Sequence, residues 1–361
     1  MKPPFPNTDL LKEMISIPAP SRKEEHRAGF LEEYLEGLGH EVKRVHNNLL
    51  LGDPVENSTV ANVLLNSHLD TISPVEGWTV DPCEPVAEGE KITGLGSNDA
   101  GASVVAMIAT YHEMVLKLKG TINLMLLLSA EEEVSGANGI DAVLPQLGTL
   151  DGVIVGEPTG MRPAVAERGL MVLDGVVRGK AGHAARHEGV NAIYRAMEDV
   201  NSIASITFSE SSEWLPAPGA KVTMISAGTG HNVVPDLCSY VVDVRSNDRY
   251  GNERILELIS SICVAELVPR STRLKPSTLD KDHLLMKTIR VCGLEPFGSS
   301  TLSDMALIPF PAVKMGPGDS ARSHTAGEYI LQSELEAGVA GYCDFLSALK
   351  AQYKIYHSTI E

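Results

Sequence analysis

The chain is poor in the features that mark a secreted, membrane or nucleic-acid-binding protein. Its 361 residues include only five cysteines, Cys83, Cys238, Cys263, Cys292 and Cys343, odd in number and with no C-x-x-C pair. Scattered thiols of this kind read as free cysteines in a reducing cytoplasm. The most apolar segment, around 124–128, falls far short of the ~20 residues needed to span a bilayer. The opening stretch MKPPFPNTDLLKEM carries Lys2, then three prolines, and no apolar run, so no signal peptide is expected. Basic charge is scarce: 30 Lys and Arg against 47 Asp and Glu leave a net charge of −17. So acidic a surface repels phosphate backbones and anionic membranes, which argues against a nucleic-acid or membrane partner. No G-x-S-x-G nucleophile elbow and no Walker lysine occur. Gly94-Leu95-Gly96 lacks the third glycine of a dinucleotide loop, because that position is Asp99.

The composition that remains, 43% hydrophobic and 21% charged, is that of an ordinary soluble globular protein. At roughly 150 residues per domain the length allows about two domains. Ser21-Arg22-Lys23-Glu24 has the S-x-x-E form of a capping box. Helically spaced Phe30, Leu31, Tyr34, Leu35 and Leu38 follow, and Gly39 closes the helix. Short apolar runs at 49–51, 63–65, 124–128 and 153–155, with a helix over 102–118, predict an α/β sheet with helices on both faces. From about residue 167 the pattern changes. Strands over 170–178, 222–227, 239–245 and 271–275, with helices over 190–203 and 254–267, run β-α-β-β-α-β, the split βαβ order of ferredoxin-like units. The expected organisation is therefore one α/β domain, 1–166 and 275–361, interrupted by an inserted α+β domain, 167–274.

Polar residues at the ends of the apolar runs carry the chemistry. In VLLNSHLDT, His68 and Asp70 stand two apart on one face of a strand end. Strand C-termini are where open α/β sheets bind ligands. A carboxylate behind an imidazole fixes its tautomer and raises its basicity as a metal ligand. Asp99 follows a glycine-rich turn. Glu131, Glu132 and Glu133 end the most apolar strand, where three adjacent carboxylates repel one another unless something positive holds them. The rival reading is a solvated cluster at a helix N-terminus. Glu157 follows another apolar run, and His324 sits in GPGDSARSHTAGEY. Imidazole and carboxylate without thiolate suit zinc, cobalt or manganese. The set is too rich for one ion and fits two ions sharing a bridging carboxylate.

Taken in order, HLDT, GLGSNDAG, SAEEE, GEPT, GKAGHAARHEGVNAI, GHNVVP, DVR and GPG…SHTAGEY resemble a family of dinuclear zinc peptidases and deacylases. That family includes acetylornithine deacetylase, succinyl-diaminopimelate desuccinylase and glutamate carboxypeptidase, and the chain looks most like its acetylornithine deacetylase-like members. The resemblance implies two Zn2+ per chain, with Co2+ able to substitute. His68 and Glu157 would belong to the first site, Glu133 and His324 to the second, with Asp99 bridging and Asp70 behind His68. It implies Glu132 as general base, because Val134-Ser135 follows the Glu132-Glu133 pair. A register one residue earlier would make the pair Glu131-Glu132. In the inserted domain, a lid and dimerisation module by resemblance, His183 would meet the oxyanion in the partner subunit's site. Asn232 would be a second cross-subunit contact, and Arg245 and Arg168 would hold the substrate carboxylate. An edge strand at 222–227 also invites pairing with a second copy, so a homodimer is expected.

Three positions depart from the family pattern. Gly94-Leu95-Gly96 stands where Gly-Arg-Gly is frequent, Ala100 and Gly101 follow Asp99 where a lysine is frequent, and Leu302 replaces a threonine of some desuccinylases. These leave the metal set intact and bear on substrate. The implied function is hydrolysis of the amide bond of an N-acyl amino acid, of the N-acetyl or N-succinyl ornithine or citrulline type, in cytoplasmic arginine biosynthesis. The alternatives are a succinyl-diaminopimelate desuccinylase, a di- or carboxypeptidase on the same scaffold, and a non-catalytic metal or amino-acid binding module.

Overall fold

A computed structural model describes residues 7–56, 59–186 and 188–358. The signal-peptide reading of the first residues falls in part on 1–6, outside the described residues. By contact the chain divides into two units: one holds the residues up to Val165, Leu279–Phe297 and those from Ser303 onward, the other Ala166–Thr278 and Gly298–Leu302.

In the first unit the strands that read as unbroken apolar runs form the interior of a mixed sheet. All eight residues of Ala61–His68 are buried, as are all but Asn123 in Ile122–Ser129. Burial on both faces is what a parallel sheet imposes and explains why these runs do not alternate. Ala61–His68 lies parallel to Ile122–Ser129 on one side and to Gly152–Val155 on the other. Ala312–Lys314 adds a fourth parallel strand beside Gly152–Val155. The hairpin Val42–Val45 and Asn48–Leu51 extends the sheet antiparallel at the Ile122–Ser129 side. Four parallel strands bring four C-terminal ends to one edge, and His68, the Glu131–Glu133 run and Glu157 stand at or just after three of those ends.

Leu64, Met125, Leu127 and Val153 pack with Ile140, Val143 and Leu147 in one buried cluster. Truncating Leu127 to alanine there would cost about 2–5 kcal/mol. Helix Ala102–Leu118 packs on Ala61–His68 and Ile122–Ser129, and the long helix Gln332–Ser358 packs on Ala102–Leu118. Among the described residues no helix is long and apolar enough to cross a membrane.

Helix Glu25–Gly37 ends as its sequence predicts. Gly39, at φ +85°, donates to Glu36 O, and His40 N donates to Leu35 O, the paired bonds of a Schellman motif. Its beginning does not follow the expected capping box. Glu24 occupies the N-cap without a side-chain cap bond, and Ser21 turns its hydroxyl to Asp70 instead.

The second unit is a four-stranded antiparallel sheet in the order Gly219–Ala227, Leu237–Ser246, Gly169–Arg178, Glu266–Pro269. Helices Ala192–Ala204 and Asn252–Ile262 complete a β-α-β-β-α-β unit. Gly169–Arg178 alternates buried and half-buried residues, so one face enters a core with Tyr240, Val242, Ile255 and Ile259. Two boundaries differ from expectation. The second helix stops at Ile262, and the last strand is Glu266–Pro269 rather than 271–275. The unit runs on to Thr278, because Ser277 and Thr278 pair with Glu167 and Ala166.

Candidate metal centre

His68 closes its strand with the ring buried. Nδ1 lies 3.1 Å from Asp70 O and 3.5 Å from Asp70 Oδ1, leaving Nε2 to face the carboxylates. The Asp70 carboxylate accepts from Ser21 Oγ at 2.7 Å, Glu132 N at 3.1 Å and Glu133 N at 3.2 Å. It therefore orients the imidazole and fixes the turn that carries the two glutamates. Burial alone would raise its pKa, but the bonds from His68 and Ser21 outweigh this and hold it low.

Asp99 projects from the turn Ser97–Gly101, just ahead of helix Ala102–Leu118. Its Oδ1 lies 3.1 Å from His68 Nε2, and its Oδ2 lies 3.7 Å from His324 Nε2. Glu157, two residues beyond Gly152–Val155, brings Oε1 to 3.7 Å from His68 Nε2. Glu133 Oε2 sits 2.9 Å from His324 Nε2, and Glu132 Oε2 sits 4.0 Å from His68 Nε2. Among the described residues two groups of potential ligand atoms, each within 4.8 Å of one another, emerge: His68, Asp99 and Glu133, and His68, Glu132 and Glu157. His324 joins through its contacts with Glu133 and Asp99.

Charge in this cluster is unbalanced. Burial, then repulsion from Glu157, Asp304 and Glu133, raises Glu132 well above the usual carboxyl range, although His68 opposes the shift. Burial and repulsion from Asp99 do the same to Glu157. Burial disfavours a charged His68, yet its bonds to Asp70 and Asp99 win and raise it well above an ordinary imidazole. His324 is raised chiefly by Glu133. Several carboxylates converging on two imidazole nitrogens form a site that calls for cations, and the oxygen and nitrogen donor set fits divalent ions such as zinc.

Glu131 is turned elsewhere. At φ +54° its side chain accepts from Asn138 Nδ2 at 3.0 Å, and its amide donates to Glu24. The pair facing the imidazoles is Glu132 and Glu133. Residues missed from the sequence surround this set. Glu328 accepts from the amides of Gly96, Asn98 and Asp99. Asp304, raised to about 6 by burial, accepts from Ser129 Oγ at 2.6 Å. Glu328 stands four residues after His324, the one signal that could have singled it out.

The remaining candidates lie in the second unit. Gly182–His183 pairs antiparallel with Val233–Val234, and Ala184 N donates to Asn232 O, so this long-range pairing brings His183 beside Asn232. Ala185 N donates to His183 Nδ1, which leaves Nε2 as the protonated nitrogen of a neutral ring. Arg168 Nη2 donates to Ala217 O and Arg245 O. Arg245 binds Asp243 through Nε and Nη2. Burial, then the charge of Arg245, lowers the Arg168 pKa.

Comparison with known proteins agrees with this geometry. The profile of peptidase family M20/M25/M40 matches residues 64–348. A succinyl-diaminopimelate desuccinylase of Sphingopyxis alaskensis is 27% identical over 272 residues, covering 70% of this chain and 71% of that protein. The aminopeptidase PepT of Bacillus cereus superposes with a TM-score of 0.76 at 18% identity, over 95% of this chain and 98% of that one. A dinuclear metal-binding M20 peptidase of Bacillus subtilis superposes at 0.69 and 15% identity, over 95% and 97%. The α/β fold expected from the sequence is the fold of these proteins, and the chain belongs to peptidase family M20/M25/M40, a family of metal-dependent hydrolases.

Proposed function

We propose that the chain is a dinuclear zinc amidohydrolase that releases a free amino acid from an N-acyl derivative. The observation carrying this reading is the Asp99 carboxylate, whose two oxygens face two different imidazoles, His68 and His324. That is the arrangement a bridging ligand requires. In this reading His68 and Glu157 would hold one ion, Glu133 and His324 would hold the other, and Asp99 would serve both. Bound divalent ions supply Lewis acidity toward the amide carbonyl and the attacking water.

The chain's own groups handle the protons. Glu132, whose carboxyl is raised above the usual range chiefly by burial, removes a proton from the attacking water and passes it to the leaving amine. Asp70 keeps His68 in one tautomer. His183 presents Nε2–H toward the developing oxyanion of a partner's substrate, with Asn232 beside it, and Arg245 and Arg168 receive the substrate carboxylate. The first substrates to try are N-acetyl and N-succinyl derivatives of ornithine and citrulline, which would place the enzyme in cytoplasmic arginine synthesis. A second reading, succinyl-diaminopimelate hydrolysis, is favoured by the Sphingopyxis relative.

A panel of acyl-amino acids and dipeptides, assayed with zinc or cobalt by amine release, tests both. Turnover of dipeptides but of no acyl-amino acid would overturn the deacylase assignment. Elemental analysis of carefully loaded protein should give two ions per chain, and never finding more than one would refute the dinuclear site.

A further inference from the structure

Two of the site's residues sit on loops rather than on strand ends, and their separation needs its own explanation. Asp99 leaves the turn Ser97–Gly101, and His324 leaves the loop after Ala312–Lys314. Neither loop inherits its position from the sheet as directly as His68 does.

Glu328 and Asn98 lace these loops together. Glu328 is 2% exposed, and its carboxylate accepts from Asn98 N at 2.9 Å and Asp99 N at 2.8 Å through Oε1, and from Gly96 N at 3.0 Å through Oε2. Its backbone carbonyl accepts from Gly94 N at 3.0 Å. From the other side Asn98 Oδ1 accepts from Asp319 N at 2.9 Å, and Nδ2 donates to Asp319 O at 3.1 Å and Ser323 Oγ at 3.2 Å. Gly318, at φ +95°, permits the approach, since a Cβ there would stand 2.3 Å from Asn98 Oδ1. The amide of Asp99 and the residue preceding His324 thus hang on one polar network.

The geometry points to Glu328 as a positioning residue of the second ion's site: by binding the Asp99 loop from within the His324 loop, it sets the spacing of two of that site's three ligands. This rests on the dinuclear reading above. The other ion would share Asp99, but its remaining ligands, His68 and Glu157, come from strand ends that the network does not hold, so the network bears on two of three ligands at one site and one of three at the other. The consequence is selective. Loss of the carboxylate should loosen the second ion far more than the first, whereas a merely structural role would lower stability and leave the two affinities in proportion.

The experiment is a stepwise Zn2+ titration of chelator-stripped protein by competition with a chromophoric chelator, on wild type, His324→Ala, Glu328→Gln and Glu328→Asp. In Glu328→Gln the new carboxamide offers one acceptor oxygen and two hydrogens where three N–H groups now point. The dissociation constant of the ion whose binding His324→Ala abolishes should rise about 10–100-fold, the usual cost of losing such a supporting partner. The other constant should move less than about threefold. If both constants stay within about twofold of wild type, or both rise together, the proposal is overturned. Should Glu328→Gln not fold, Glu328→Asp decides by the same ratio, since it keeps the charge but shortens the reach to the amides of Gly96, Asn98 and Asp99. Wild-type protein that never takes a second ion would overturn the dinuclear reading and this proposal with it. Two ions in wild type with an unchanged ratio in the Glu328 variants overturn this proposal alone.

Discussion

The run Glu131-Glu132-Glu133 offers a clean dissection, because neighbouring identical side chains do different work. Glu132 lies at the imidazoles, 4.0 Å from His68 Nε2, while Glu131 accepts a bond from Asn138 on the far side of the turn. A positioned general base contributes about 10²–10⁴-fold, or about 3–5 kcal/mol of barrier. Glu132→Gln should therefore reduce kcat by about that factor with fold and metal content retained. Glu131→Gln keeps an acceptor for Asn138 and forfeits only part of a charged hydrogen bond worth about 1.5–3 kcal/mol. It should lower the melting temperature by a few degrees and leave kcat within about threefold. The assay is amine release at saturating substrate, with metal content and thermal melting measured on the same samples. Glu131→Gln losing as much turnover as Glu132→Gln would refute the division of labour. Loss of one ion in Glu132→Gln would instead make Glu132 a ligand, as its grouping with His68 and Glu157 allows.

Other expectations follow from the same geometry. His183→Ala should lower kcat by about 10²-fold or more with metal content little changed. Mixing it with Glu132→Gln should restore activity towards half of a normal dimer per heterodimer, and no recovery in demonstrated heterodimers would place His183 outside its partner's site. Among the described residues Gly219–Ala227 bonds a neighbour strand on one side only, with Met224 65% and Ile225 55% exposed, so sedimentation should find a dimer at assay concentration. A fully active monomer would end that idea. Asp304 has a folded pKa of about 6 against 3.8 for the free side chain. The folded state thus holds the extra proton, and its stabilisation, full below 3.8, is lost as pH rises through about 6. In chelator-treated protein this amounts to about 3 kcal/mol, and Asp304→Asn should flatten that slope in urea unfolding. An unchanged slope would show that Asp304 does not carry it.

His68, Glu132, Glu133 and Glu157 were legible because each follows a recognisable apolar run, and Asp99 and His324 because each sits in a glycine-bearing segment. A histidine or carboxylate placed directly after a buried strand has nowhere to go but the edge of the sheet. The helix end at Gly39 was legible for the same local reason. What escaped were partnerships made across the chain. Ser21-x-x-Glu24 has the letters of a capping box, yet Ser21 answers to Asp70, 49 residues away. Glu24 answers to backbone amides, Arg22 N among them. Glu328 and Asp304 bind amides and a hydroxyl, partners that leave no periodic trace. The helix expected over 254–267 overran because the half-buried residues of Glu266–Pro269 continue an amphipathic pattern that two different elements share.

The strap formed by residues 17–27 has a practical meaning for anyone shortening this protein. Thr71 N donates to Ala19 O, Ser21 N to Thr71 O, and Arg27 grips Leu69 O and Ile17 O with its buried guanidinium. Ser21 Oγ then reaches the Asp70 carboxylate. A fragment trimmed to begin at the strand Ala61–His68 would keep His68, Asp70, Asp99, Glu132, Glu133, Glu157 and His324. It would nonetheless leave Leu69 O without the Arg27 guanidinium and Asp70 without the Ser21 hydroxyl. Such a fragment could look complete by its ligands and still behave as a poor hydrolase, its imidazole free to turn. The working boundary of the reaction centre lies at the start of this strap, more than a hundred residues before the glutamates it helps to hold in place.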